Sequence, residues 1–364
     1  MSKKKISFVI GSLTAGGAER VVSTLSNQLM VKYEVHIIIL TKCEPFYKLD
    51  KNIKLFHCRE DFLPSSNIFQ AIKTNYALYK SIYTYLKNNH IDLVIGFITS
   101  VNILTILASR KIKIPCIISE RIFPEKYDIE IQWAILRKLL YRKANYLVVQ
   151  TNDIREQFKT IINYDRIFIL KNPIATELTE ARNKEYKKEN IILNIGRLTN
   201  QKAQDLLIKA FANVENHDWK LMIVGHGEKQ NEYEELIKSL KLDNKILLIG
   251  QTKDIAQLYN KSKIFAFTSK FEGSPNALIE AMHFGLSCVS TDCPTGPSEL
   301  IHDGDNGFLI PIGNQKKLES RISNLMLDEK LRDKFGTNAM KSVIPYEARL
   351  VTKEWIQLFE KLLN

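Results

Sequence analysis

The chain has 364 residues, 45% of them apolar and 25% charged, with a formal net charge of +12. That length supplies two cores rather than one, and the composition excludes a disordered or fibrous chain. No stretch approaches the roughly 20 consecutive apolar residues of a bilayer span. The opening MSKKKISFVIGSL reads as a first strand rather than a signal peptide, because Gly11, Ser12 and Thr14 interrupt its apolar run. Five cysteines (Cys43, Cys58, Cys116, Cys288, Cys293) form no C-x-x-C pair, which points to free thiols in a reducing, cytoplasmic compartment and gives no metal set. Residues 1–180 carry about +10 of the charge, so one half is basic and the other nearly neutral. Such a half suits an acidic partner: anionic lipid, a lipid diphosphate or nucleic acid. A merely solvated basic surface is the alternative.

Short β-branched runs alternate with amphipathic stretches, the pattern of parallel sheets with helical crossovers. Strands are predicted at 5–10, 34–40, 53–57, 92–97, 115–119, 145–150 and 167–170. Helices are predicted near 17–30, 66–88, 100–109, 129–143 and 152–160. The polar segment 171–190, with Pro173 near its start, reads as a linker. Beyond it, strands at 191–195, 219–224, 246–250, 263–268 and 286–290 alternate with helices near 203–213, 228–240, 254–261 and 275–283. The tail 314–364 reads as helices only. Two doubly wound α/β domains follow, and such sheets bind ligands beyond the carboxyl ends of their strands.

The richest segment is FTSKFEGSPNALIEAMHFGLSCVSTD (267–292). A strand ends, a loop carries Glu272 and Gly273, and Ser274 and Pro275 are expected as N-cap and first residue of a helix. Free N–H groups from Asn276 onward would then make an anion site, with Glu280 in the following turns. Helix capping plus one solvated carboxylate is the competing account. In NIGRLTNQKAQDLLIKAF (194–211), Gly196 permits close backbone approach, and Arg197 and Lys202 suit a diphosphate. A third piece, IVGHGEK (223–229), brackets His226 with glycines, and a lone histidine there is more often a loop residue than a catalyst.

In order, GRLTNQK (196–202), VGHG (224–227), EGSPNALIEA (272–281) and GPSELIHDGDNGFL (296–309) resemble glycosyltransferase family 4, the retaining GT-B enzymes of bacterial capsule, O-antigen and lipopolysaccharide-core synthesis. Glu272 and Glu280 match the family's E-x7-E signature. The resemblance implies an α/β GT-B fold, two Rossmann-like domains facing across a cleft. The expected division is 1–180 for the acceptor, 181–344 for the nucleotide sugar, and a helix at 345–364 returning to the first domain. It also implies that Arg197 and Lys202 bind the donor diphosphate, Glu280 the ribose hydroxyls and Glu272 the hydroxyls of the transferred sugar. Gly196 and the segment Gly273–Asn276 (with Ser274 and Pro275) would complete the pocket, and 249–254 would lie beside the base. Two departures stand out: Ala203 replaces the glycine that commonly follows the lysine, and His226 replaces an acidic or small residue.

In the first half, GSLTAGGAER (11–20) is not a G-x-G-x-x-G fingerprint, yet Gly16 and Gly17 are candidates to approach the donor phosphates. IISERIFPEK (117–126) places Arg121 where relatives often carry histidine, as a candidate contact to an acceptor or donor phosphate. Lys73, Lys80 and Lys87 recur every seven residues along 65–90, and Arg137 and Lys138 belong to a second basic helix at 131–144. Both suit an anionic membrane surface, or else carry a solvated basic back. The expectation is a retaining, metal-independent transferase without cofactors, peripheral to the inner face of the cytoplasmic membrane. Its substrates would be a nucleotide sugar, first a uridine diphosphate hexose or N-acetylhexosamine, and a lipid-diphosphate-linked glycan, with no nucleic acid. A nucleotide-sugar epimerase of the same fold and a basic nucleic-acid-binding protein are the alternatives.

Overall fold

KISFVI and EVHIII each end in an apolar run and are buried at five consecutive positions, the mark of strands covered on both faces. In the computed structural model, which describes residues 3–61, 67–121, 129–183, 185–215 and 218–363, they pair in parallel. Contacts divide the chain into Met1–Ala175 with Ala348–Asn364, and Thr176–Glu347.

In the first unit, seven strands are β1 (Lys5–Ile10), β2 (Glu34–Ile39), β3 (Lys54–His57), β4 (Leu93–Phe97), β5 (Cys116–Ser119), β6 (Tyr146–Val149) and β7 (Ile167–Ile169). They pair in the order β3-β2-β1-β4-β5-β6-β7, all parallel. The helices α1 (Gly17–Leu29), α2 (Ile68–Asn88), α3 (Thr99–Ile112), α4 (Ile131–Leu140) and α5 (Asn152–Phe158) cross over between them. Residues 65–66 of the predicted basic helix and 122–126 of the segment after β5 lie outside the described residues.

The second unit repeats the plan with β8 (Ile191–Ile195), β9 (Lys220–Val224), β10 (Ile246–Gly250), β11 (Ile264–Phe267), β12 (Ser287–Thr291) and β13 (Phe308–Ile310). Their order is β10-β9-β8-β11-β12-β13, again parallel. Its helices are α6 (Thr176–Ala181), α7 (Gln204–Ala212), α8 (Gln230–Ser239), α9 (Ile255–Lys261), α10 (Asn276–His283), α11 (Pro297–Leu300), α12 (Gln315–Leu327) and α13 (Glu329–Ser342). Both sheets reverse strand order beside their first strand, the switch point at which doubly wound folds place ligands.

The sequence reading did not include β13 or α6. The strand β13 is three residues long, too short to show a period. The segment read as linker contains α6, whose buried Leu178 and terminal Ala181 carbonyl, bonded by Asn260 at 2.8 Å, belong to the second unit. The division therefore falls at Ala175/Thr176, earlier than the expected 180/181. The last helix, α14 (Ala348–Leu363), packs on α1 and joins the first unit's core through Val351, Trp355, Leu358 and Phe359.

Trp355 is wholly buried and stacks near Phe97 and Phe359. Removing so large a core side chain costs about 3–5 kcal/mol. Trp355→Ala is therefore expected to lower the unfolding free energy by that amount, read from urea melts followed by fluorescence.

Candidate active site

The carboxyl ends of β8, β9 and β11 carry the second unit's charged loops. After β8 the chain passes Gly196 and Arg197, turns at 199–203, and enters α7. Gly225 follows β9 at φ +145°, and a Cβ there would overlap the Gly196 carbonyl oxygen. Only glycine lets the two strand-ends lie this close. The turn at 199–203 is then tied to the loop after β11. Thr268 Oγ1 donates to the Lys202 carbonyl at 2.8 Å, Lys270 N–H to the Gln201 carbonyl at 2.8 Å, and Gln201 Nε2 to the Phe271 carbonyl at 2.8 Å. Lys270 Nζ reaches Asn200 Oδ1 at 2.6 Å.

These bonds bring Lys202 and Glu272 together. The ammonium Nζ lies 2.6 Å from Glu272 Oε1, in a pair only 17% and 8% exposed at the side chains. The lysine stem lies over Gly196, and Nζ sits 5.4 Å from the Phe267 ring centroid. Glu272 is fixed from behind, where Thr295 Oγ1 donates to its carbonyl. Arg197 is exposed at the rim of the same turn, with no side-chain partner among the described residues. One ammonium and one carboxylate thus meet at the end of a sheet, with an exposed arginine earlier in the same loop.

The helix α10 begins one residue later than its sequence suggests. Pro275 is the N-cap, Asn276 the first helical residue, and Ser274 makes no side-chain cap bond. The N–H groups of Asn276, Leu278 and Ile279 are taken by the carbonyls of Ser274 and Pro275, which corrects the expectation of open amides from Asn276 onward. Among the described residues, no backbone acceptor faces the N–H groups of Gly273, Ser274 or Ala277. Gly296, at φ +112°, packs against the Pro275 ring, where a Cβ would overlap it. The tip of α10 is thus set by a glycine from the loop after β12. Four residues into α10, Glu280 is buried and accepts the Tyr259 hydroxyl at 2.9 Å. Tyr259 stacks on Phe284 at 5.1 Å, so the carboxylate is held on a rigid aromatic support.

Tyr259, Thr268 and Thr295 were missed by the sequence reading. A buried tyrosine inside an amphipathic helix and a threonine at a strand end look like ordinary packing until the partner loop is placed beside them. Gln201 and Gly296 lay inside quoted motifs, so only their partners were hidden. His226 is exposed and its Nδ1 lies 2.9 Å from Gln230 Oε1, a loop residue bonded to the next helix.

In the first unit, Gly16 is the N-cap of α1 in extended backbone, φ −156°, a conformation open to any residue. The Glu19 carboxylate folds back against it, so the start of α1 already faces an anion of its own chain. Gly17 is the first residue of that helix, directly beyond β1.

Arg121 follows β5 but points into the core. Its Nη1 donates to Asn172 Oδ1, and its guanidinium lies 4.8 Å from the Phe97 ring and 6.0 Å from the Trp355 ring. Burial pushes its pKa down to about 9, against the opposing pull of Glu120. On the opposite face of β5, the wholly buried Glu120 accepts the hydroxyls of Thr99, at 2.9 Å, and Tyr141. Burial raises its pKa, and those donors restrain the shift. Arg121, expected as a contact to an acceptor or donor phosphate, is thus held beside two aromatic rings.

The basic helices also divide. Lys73, Lys80 and Lys87 are all exposed along α2, and Lys138 is exposed on α4. Arg137 is not part of that face. Its guanidinium lies 5.6 Å from the Phe158 ring, Nε is buried, and its charge favours the ionised form of Glu120. Among the described residues no cluster of three or more His, Cys, Asp or Glu forms a metal-ligand group.

Two parallel doubly wound sheets, with charged loops and a helix tip at the carboxyl end of the second, define a GT-B type glycosyltransferase. Solved structures agree in fold. A glycosyltransferase from Rickettsia africae superposes over 100% of both chains with a TM-score of 0.81 at 22% identity. Anabaena HepE, solved with UDP and glucose, covers 99% of this chain and 100% of its own with a TM-score of 0.79 at 18% identity. Family profiles match along the chain: Glycosyltransferase Family 4 over residues 15–178, and Glycosyl transferases group 1 over residues 176–342. The amylovoran biosynthesis glycosyltransferase AmsD of Erwinia amylovora is 30% identical, covering 97% of this chain and 98% of its own. A Campylobacter jejuni N-acetylgalactosamine-N,N'-diacetylbacillosaminyl-diphospho-undecaprenol 4-alpha-N-acetylgalactosaminyltransferase is 31% identical, covering 92% and 94%. This chain belongs to glycosyltransferase family 4.

Ala203, one of the two departures noted in the sequence, is the N-cap of α7 in left-handed backbone, φ +48° and ψ +46°. A side chain in that region costs about 1–2 kcal/mol. Ala203→Gly is expected to leave the fold unchanged and to raise the melting temperature by a few degrees in calorimetry, the relief of backbone strain exceeding the added unfolded-state entropy.

Proposed function

We propose that this transferase moves a hexose or N-acetylhexosamine, with retention of anomeric configuration and without a metal, from a uridine diphosphate sugar to a lipid-diphosphate-linked glycan at the cytoplasmic face of a membrane. The reading rests above all on one observation: the Lys202–Glu272 ion pair lies at the loops beyond β8 and β11, just before the tip of α10, with Arg197 exposed in the same loop as Lys202. Cleavage of the sugar–phosphate bond builds negative charge on the departing diphosphate. Preorganised cations in a partly dry site offset that charge without solvent reorganisation. In this reading, Arg197 and Lys202 take the phosphate oxygens, and Gly273 and Ser274 donate backbone N–H groups. Glu272 holds hydroxyls of the transferred sugar, and Glu280, braced by Tyr259, reaches the ribose. Gly196 and Pro275 shape the backbone around these groups, and Gly16 and Gly17 are the first unit's candidates to face the donor. The departing phosphate oxygen accepts the acceptor's proton in a front-face displacement.

The donor assignment draws support from HepE, solved with UDP. The acceptor assignment draws support from the Campylobacter jejuni relatives, whose names specify undecaprenol-diphosphate glycans. The membrane assignment rests on the surface of the first unit. On α2, Ile68, Phe69, Ile72 and Tyr76 are exposed next to Lys73 and Lys80. On α4, Ile131, Ile135 and Leu139 form an exposed stripe beside Lys138. Apolar residues with lysines alongside match the two attractions of an anionic bilayer surface. No helix among the described residues is long and apolar enough to cross a membrane.

The test is nucleotide-sugar hydrolysis by the purified protein, followed by addition of membrane extract to supply the acceptor. Lys202→Ala and Arg197→Ala are each expected to lower turnover by about 10²–10³, the usual effect of removing one electrostatic donor. Turnover of the unsubstituted protein should survive EDTA. Wild-type rates from either variant would sink the site assignment. For the surface, Phe69→Ser with Ile131→Ser is expected to reduce sedimentation with phosphatidylglycerol vesicles at unchanged donor hydrolysis. Equal sedimentation would place the membrane contact elsewhere.

A further inference from the structure

Lys202 is bonded to Glu272 at 2.6 Å in the structure, and the carboxylate it holds is almost closed off from water. The proposed roles send these two side chains to different parts of one donor, the ammonium to phosphate and the carboxylate to sugar hydroxyls. We propose that the Lys202–Glu272 ion pair is a selectivity device, weighting the site toward the intact nucleotide sugar and against the nucleoside diphosphate left after transfer. The inference rests on the donor-site reading above.

The physical argument is an exchange of partners. An intact donor brings hydroxyl groups that donate to Glu272 in place of the ammonium. Lys202 is then released to the phosphates, and no charge loses its partner. A free nucleoside diphosphate has no sugar hydroxyls at that end. Drawing Lys202 to its phosphates would leave a buried carboxylate without its main donor, close to a second anion. Stripping one partner from a buried ion pair is far costlier than exchanging it for another donor. The pair also screens the site, because a neutral couple attracts a diphosphate less than a bare ammonium does.

The neighbours leave few other outcomes for the carboxylate. Its loop is tied down by the Thr295 hydroxyl at the Glu272 carbonyl and by Glu272 N–H to the Pro294 carbonyl at 3.4 Å. The lysine is fixed at its carbonyl by Thr268 and along its stem by the Gly196 backbone. These ties fix the backbone beneath both side chains, so an exchange of partners involves only their charged ends. Arg197 lies outside the pair, so the first phosphate contact is available before the exchange occurs.

The test is calorimetric titration of the full chain with uridine, guanosine and adenosine diphosphates. Glu272→Gln keeps the shape and removes the charge. It is expected to bind the diphosphate that the wild type prefers at least about tenfold more tightly, while losing turnover. Placed in a Lys202→Ala background, the same substitution should bring no gain, because the ammonium it would free is absent. Glu272→Asp, which keeps the charge but shortens the reach, should show a smaller gain and serves if the glutamine variant fails to fold. Unchanged or weaker diphosphate binding by Glu272→Gln or Glu272→Asp overturns the inference and leaves the donor site standing. So does a gain that persists without Lys202. If no diphosphate binds the wild type or Glu272→Gln, the donor-site reading itself fails and takes the inference with it.

Discussion

Lys202 can meet Glu272 only because the backbone beneath both has been drawn together first. The turn at 199–203 and the loop at 268–272 share three hydrogen bonds to main-chain carbonyls, at Gln201, Lys202 and Phe271. Those bonds form because Gly225 lets the end of β9 press against the Gly196 carbonyl, so that the loop after β8 has one course open to it. The chemistry of the site is therefore downstream of a steric constraint. Bulk at Gly225 would be felt at the Lys202 ammonium without touching a charged group. A second constraint of the same kind operates at Gly296, whose missing side chain makes room for Pro275 and so sets the tip of α10.

The two carboxylates of the E-x7-E pair occupy unlike environments. Glu272 sits on a loop and holds the Lys202 ammonium, the partner that the proposed exchange would remove. Glu280 is on the buried side of a helix and holds the Tyr259 hydroxyl, whose ring is stacked in place. A carboxylate with an exchangeable partner suits the group that changes during reaction. A carboxylate with a fixed partner suits the group that does not. Their separation in sequence puts one before the helix and one within it, and this difference in support follows from that placement.

Much of this was open to sequence reasoning for a physical reason. Fully buried parallel strands are short runs dominated by apolar residues, and β4, β6 and β11 announce themselves that way. The element β13 did not, because three residues between Gly307 and Pro311 cannot display a period. The segment 171–190 looked like a linker because α6 buries only Leu178. At the site, the charged residues were legible from their motifs, while their supports were not. Tyr259, Thr268 and Thr295 act through contacts with loops far away in the chain, and spacing carries no trace of such contacts. The helix tip was misjudged for a related reason: Ser-Pro is a strong local start signal, but the carbonyls of Ser274 and Pro275 take up the amides that the signal would have left open.

The two sheets obey one plan yet treat charge in opposite ways. Beyond β8 and β11, Arg197 is displayed and Lys202 is held by a partner it can give up. Beyond β5, Glu120 is sealed beneath Tyr141 and Thr99, and Arg121 lies beside the stacked rings of Phe97 and Trp355. A buried charge with fixed partners is costly to rearrange, so the first unit's strand ends are built as rigid support rather than as a place where charge moves. The helix α14 explains how that support is completed: it leaves the sequence of the second unit and lays Trp355 over Arg121. Identical architecture thus hosts a yielding charge cluster in one unit and a locked one in the other. Which charges can change partners is a property of individual side chains that the shared fold does not determine.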